Sequence, residues 1–273
     1  VTTTAVRRTA LAASAAALAL LVTACGGSSD DGEGDDRAST APSPTPSASA
    51  SATGSATPSP ENQRTHSSAE LDMRALTQSD LDGITVTEVV KVDDATRDEV
   101  TAEDAACLPL ALAQSGVAQA DPAAAVKRSW ASAPKEPSGK EQGSDPTERM
   151  YGMSKGLLTL SSYQGDGATK AVDALRKSFE ACKDGFVFTA KGQRTRIDKV
   201  VPGDVAPAGA DETVALTLTL DPEKGSSFPV KVIVTRKGST LAAFAELNLG
   251  AAATGKDFPF PEDVAGAQVT KLG

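Results

Sequence analysis

Few residues of this chain have the type and spacing for chemistry. There is one histidine, His66, one tryptophan, Trp130, and three cysteines, Cys25, Cys107 and Cys182. Gly152-Met153-Ser154-Lys155-Gly156 fits the G-x-S-x-G pattern of a nucleophile elbow, in which a serine on a strained strand-to-helix turn attacks an acyl carbon. That chemistry needs an acid and a histidine after the serine, and His66 lies before it. The stretch from Tyr151 to Tyr163 reads as a strand, so Gly152 and Gly156 are expected to interrupt or bulge it. Ser132-Ala133-Pro134-Lys135 has the S-x-x-K outline of a serine served by a lysine base, with Ser144-Asp145 and Lys237-Gly238 as further pieces. Pro134 breaks the helical turn that would align serine and lysine, and no asparagine follows Asp145. A metal site is not expected: there is no histidine pair, and neither Cys107 nor Cys182 has a C-x-x-C companion. The carboxylate pairs Asp93-Asp94, Asp98-Glu99 and Glu103-Asp104 are expected near a helix start, where acids complement the dipole. No cofactor motif and no enzymatic constellation emerge. A hydrolase acting through Ser154 is the least supported alternative.

Cys25 is different. Val22-Thr23-Ala24-Cys25 follows an apolar run from Ala10 to Val22, and Arg7 and Arg8 precede that run. This resembles the leader and lipobox of bacterial lipoproteins: a basic n-region, an apolar h-region too short to span a bilayer, and small residues running into cysteine. The resemblance implies cleavage after residue 24 and acylation of Cys25, with the protein held on the outer face of the cytoplasmic membrane. Two acyl chains give stable anchoring. Export implies an oxidising compartment, so Cys107 and Cys182 are expected to form a disulfide.

Composition then divides the chain. Residues 25–68 are rich in Gly, Ser, Asp, Pro, Ala and Thr, and cannot bury enough surface to offset their ordering entropy. They are expected to be a tether spanning about 35–40 Å. Asp30 to Asp36 lacks the register of a calcium loop. Residues 69–273, roughly 205 of them, suit one globular domain. The formal charge of -9 becomes about -11 once Arg7 and Arg8 are cleaved off, which argues against nucleic acid and anionic lipid as partners.

Within the domain, Leu71 to Leu76 is a short apolar-spaced segment, and Ile84 to Val90 reads as a first strand. Thr101 to Asp104 has the outline of a capping box for a helix carrying Cys107, with Pro109 limiting that helix or sitting in its first turn. Ala123 to Ala131 reads as strand, and Pro134 to Thr147 as a polar loop. The clearest element is a helix capped by Asp166. It carries Ala168, Val172, Leu175, Phe179 and Cys182 on one face, pairs Asp173 with Lys177 on the other, and stops at Gly185. Period-two patterning follows: Phe186 and Phe188, then Arg194 to Val201, Val214 to Leu220, Val230 to Val234, and, after a turn at Lys237-Gly238, Leu241 to Leu249. This is an antiparallel meander. Pro261 opens a terminal helix burying Val264, Ala267 or Gln268, and Leu272.

This order of elements, with Phe179-Glu180-Ala181-Cys182 closing the main helix and Gln268-Val269-Thr270-Lys271-Leu272 closing the chain, resembles the PknH-type extracellular sensor domain of actinobacterial kinases and related lipoproteins. The resemblance implies an α+β fold: a curved antiparallel sheet with helices on one face and a cleft that holds a ligand. That family has two disulfides where this chain can form one, and no binding residue transfers. The expected function is therefore ligand sensing or binding, the ligand being an unidentified small-molecule, envelope or protein species. A carrier of lipid or other hydrophobic ligand is the alternative, and Trp130 and the two tyrosines are candidates for either a cleft or the core.

Overall fold

Strand formers alternating at period two supply nine strands, and the computed structural model, which describes residues 64–132, 150–222 and 225–273, arranges them in one sheet. The expected leader, Cys25, most of the expected tether, Lys135 and the expected polar loop with Ser144 and Asp145 lie outside those residues. The strands are β1 (Ile84–Thr87), β2 (Val100–Ala102), β3 (Ala124–Ser132), β4 (Ser154–Ser162), β5 (Phe186–Ala190), β6 (Gln193–Pro202), β7 (Glu212–Asp221), β8 (Phe228–Lys237) and β9 (Thr240–Asn248). Their order is β1-β3-β4-β9-β8-β7-β6-β5-β2, each pair antiparallel. The expected α+β class with a curved antiparallel sheet is what the chain adopts. A register shift between Ile197 and Lys199 bends β6.

Five α-helices are present among the described residues: α1 (Ser68–Arg74), α2 (Leu108–Gln114), α3 (Gly167–Cys182), α4 (Leu249–Thr254) and α5 (Glu262–Leu272). The topology explains two of them. β2 lies at one edge and β3 near the other, so α2 crosses the sheet between them; α3 crosses back from β4 to β5. Both cover one face, where Leu110, Leu112, Val172 and Leu175 meet Leu216, Leu218, Val230, Val232 and Val234. The opposite face is covered as well. There α1 and α5 pack Leu71, Leu76, Val264 and Ala265 against Trp130, Leu158, Leu160, Ile233 and Phe244. Helices therefore lie on both faces, one more than the expected single layer. The second layer is hard to read in sequence because α1 has seven residues and α5 is rich in Ala and Gly. A fully buried Gln268 joins these two helices: its Oε1 accepts from Leu76 N at 2.9 Å and its Nε2 donates to Arg74 O at 2.8 Å.

Local chemistry departs from expectation at the helix starts. Thr101 is in β2, and the capping box belongs instead to Thr96 and Glu99, on a 3-10 turn. Asp104 caps a second 3-10 turn over Ala105–Cys107, which runs into α2 with Pro109 in its first turn. Asp166 makes no side-chain cap to α3 and pairs with Lys170; Asp173 meets Arg176 in place of Lys177. The pairs Asp93-Asp94 and Glu103 serve lysine and arginine partners, Lys155, Lys127 and Arg194, and not a helix dipole. The ordered contacts also begin upstream of residue 69. Ser67 caps α1 in a capping box with Glu70, His66 N donates to Ser162 Oγ at 2.8 Å, and Thr65 Oγ1 donates to Tyr163 O at 3.1 Å. At the sheet edge, Gln78 Nε2 donates to Ile84 O at 2.8 Å and its Oε1 accepts from Val86 N at 3.0 Å.

Cys107 and Cys182 are joined by a disulfide, with Cα atoms 5.8 Å apart. It ties the start of α2 to the end of α3, beside the three-residue strand β2. No helix among the described residues is long and apolar enough to cross a membrane.

Candidate functional site

Residues 91–95 leave the sheet after β1 and return to it at β2, passing in front of the face that α2 and α3 cover. Three lysines pin this strap. Lys191 Nζ donates to Lys91 O at 3.0 Å and to Asp94 O at 2.9 Å. Lys127 Nζ meets Asp94 Oδ1 at 2.8 Å, and Lys155 pairs with Asp93. Lys191 is aimed there by an unusual backbone: φ is +50° at Lys191 and +77° at Gly192, the two left-handed residues that a tight β5–β6 hairpin demands.

Behind the strap lies an open cleft of 460 Å³. Its floor is apolar: Leu157, Leu220, Phe228, Val230, Ala245 and Leu247 from the sheet, with Phe188 beside them. Its rim is polar: Asp93 and Lys155, Gln114 and Ser115 at the end of α2, and Lys191, Gln193 and Thr195 from the β5–β6 hairpin. Val92, at the mouth, is 75% exposed. An apolar floor with a few polar groups at its margin, in this size range, is the usual make-up of a small-molecule site.

The residues singled out from sequence are distributed elsewhere. Trp130 is buried in the second core and Tyr163 in the first, where its hydroxyl donates to Gln119 O at 2.7 Å; burial pushes that hydroxyl up to about 12. Tyr151 bonds Thr254 through its hydroxyl. None of the three lines the cleft, whose aromatic surface comes from Phe188 and Phe228. Phe188 was legible as a strand residue with an inward face; nothing in the sequence marks Phe228 or residues 91–95 as neighbours of it.

Ser154 begins β4 and sits on no strand-to-helix turn. It is nearly buried, and its Oγ accepts from Asn248 Nδ2 at 3.0 Å. His66 packs at the other end of the same strand through Ser162, so no imidazole reaches Ser154. Gly156 does not bulge β4: the register with β3 and β9 is unbroken. Its missing side chain makes room for the indole of Trp130, from which a Cβ at 156 would lie only 2.2 Å away. Trp130, Gly156, Glu246 and Lys231 form one row across four strands. Burial pushes the Glu246 carboxyl up to about 7, with the Ser154 hydroxyl and then the charge of Lys231 opposing that rise. Glu246 Oε2 and Trp130 Nε1 are both buried without hydrogen-bond partners among the described residues. Lys231, almost wholly buried, reaches Thr217 Oγ1 at 2.8 Å and Asp257 Oδ1 at 2.7 Å, and lies over the ring of Phe260 at 4.5 Å. Among the described residues no three His, Cys, Asp or Glu side chains converge as metal ligands.

No family model matches the chain, and no curated protein matches it. Among solved structures it is similar to the extracellular domain of PknH from Mycobacterium tuberculosis, at 12% identity and a TM-score of 0.44, over 77% of this chain and 96% of that one. It is also similar to an uncharacterized protein from Mycobacterium smegmatis, at 12% identity and a TM-score of 0.30, over 70% of this chain and 90% of that one.

Proposed function

We propose that this protein is a ligand-binding or ligand-sensing lipoprotein, anchored on the outer face of the cytoplasmic membrane by lipid on Cys25 and without catalytic activity. The observation that carries the binding assignment is the 460 Å³ cleft, with its apolar floor and its rim of Asp93, Lys155 and Lys191. Such a cleft accepts a small molecule with an apolar body and a polar end. The lipobox-like sequence supports the anchor, and the disulfide fits an exported domain. The carrier alternative draws less support, because side chains of α2 and α3 fill the space between helices and sheet and leave an open cleft in place of an enclosed chamber. The hydrolase alternative lacks an imidazole base at Ser154.

The test is native mass spectrometry of the full chain extracted from the membranes of its own host. A bound small molecule is expected on the wild-type protein and not on Ala245→Phe, which fills the cleft floor. Wild-type protein that arrives empty would overturn the binding assignment. Recovery of Cys25→Ala from the membrane fraction, and not from the medium, would overturn the anchor.

A further inference from the structure

We propose a second site, for a phosphate-sized oxyanion, in the pocket between the start of the described chain, the β8–β9 turn and the end of α5. The pocket measures 220 Å³ and is lined by Arg64, His66, Arg74, Lys237, Ser239 and Thr240, with Leu272 and Gly273 closing it. It is separate from the cleft, shares no residue with it, and does not depend on the function proposed above.

Three observations support it. First, two of its cations are held in place by neutral groups. Arg74 Nη1 donates to Leu272 O at 3.1 Å, and Lys237 Nζ donates to Gly209 O at 2.8 Å. These bonds fix the side chains without cancelling their charge. Glu70 pairs with Arg64, and Asp211 accepts from Arg236 and from Gly238 N, so Arg74 and Lys237 are the lining cations with no side-chain carboxylate partner among the described residues. Secondly, the imidazole of His66 lines the same pocket as these cations, and its Nδ1 has no hydrogen-bond partner among the described residues. Thirdly, cations gathered in one small pocket of a chain of net charge -9 repel one another. Burial, and after it the charge of Arg74, lowers the proton affinity of His66, with Glu70 opposing and Arg64 adding. A guanidinium presents paired N–H donors that match an oxyanion, and an ammonium adds a point charge.

The chemistry is that of a phosphate group, whether inorganic or carried on a lipid or envelope polymer. His66 is the chain's single histidine, so its imidazole resonances report the pocket without assignment ambiguity. The full chain in neutral detergent would be titrated with inorganic phosphate at constant ionic strength. Saturable shifts of the His66 resonances are expected with a Kd of about 1 mM or tighter. Binding should tighten as pH falls through the titration of His66, because the anion favours the imidazolium. Lys237→Gln should weaken binding about tenfold with an unchanged melting temperature, and Arg74→Gln should weaken it at least as much. Vesicles of phosphatidylglycerol that displace phosphate from His66 would identify a lipid headgroup as the source, and vesicles that leave it bound would identify the soluble ion. Shifts that fail to saturate by about 50 mM, or a Lys237→Gln protein that binds like wild type, would overturn the proposal.

Discussion

The two faces of the sheet are built on different terms. The face under α2 and α3 is packed with Leu, Val, Ile and Phe, stapled by Cys107–Cys182, and open at one end as the cleft. The face under α1 and α5 has a smaller apolar core, and polar groups are threaded through it: Gln268 between the helices, and the row Trp130, Gly156, Glu246 and Lys231 across the strands. On the first face the helices are held by burial and a covalent bond, which need no particular partner geometry. On the second, short helices are positioned by single hydrogen bonds whose loss leaves a buried group unpaired. The first face should therefore fail when the chain is cut loose, and the second when one atom is removed.

The largest break is expected on the first face. Replacing both Cys107 and Cys182 by serine releases a closed loop of 75 residues' separation and should cost about 4 kcal/mol in the chain-entropy account. Urea unfolding measures this, with Trp130 fluorescence reporting the opposite face. A loss below about 1 kcal/mol would mean that burial alone holds α2 and α3 in place. On the second face, Gln268→Ala strands Leu76 N and Arg74 O at once and should cost about 3 kcal/mol by the same measurement. An unchanged midpoint would show that water reaches both groups.

A third variant sharpens the contrast through pH. The folded state raises the Glu246 carboxyl from 4.5 to about 7, so folding favours its protonated form. Stability from this group is then full below about pH 4.5, declines as pH rises toward 7, and stays level above it. Glu246→Gln keeps the group neutral throughout. It should match wild type at pH 4 and be more stable by about 3 kcal/mol at pH 8. Equal stabilities at pH 8 would place the carboxyl in contact with solvent.

These differences mark what the sequence could reveal. The meander and α3 were legible because their signal is periodic: Val214 to Leu220 and Val230 to Val234 repeat every second residue, and Ala168, Val172, Leu175 and Cys182 repeat every three or four. The strand at β3 and the pairing of the two cysteines followed from composition and compartment. The second helical layer was not legible, since α1 is too short to show a period and Gln268 reads as a surface residue until its two backbone partners are seen. The cleft was hidden for another reason. Its floor is ordinary strand residues, and its wall is residues 91–95, whose acids resemble a helix start. Only tertiary structure brings Lys127, Lys155 and Lys191 to them. Helix-capping signals misled at Thr101 because β2 and its pairing with β5 override a local preference.

The amide of Gln78 has a consequence beyond the fold of a single molecule. A wide open sheet ends in two rows of main-chain donors and acceptors, and such rows are templates on which a neighbouring chain can add a strand. Here the outermost strand at one end is four residues long, and the side chain of Gln78 already occupies the Ile84 carbonyl and the Val86 amide that a neighbour would need. At the other end the terminal strand is three residues long. The molecule thus carries its own stopper against fibril growth, a useful property for any protein crowded beside copies of itself.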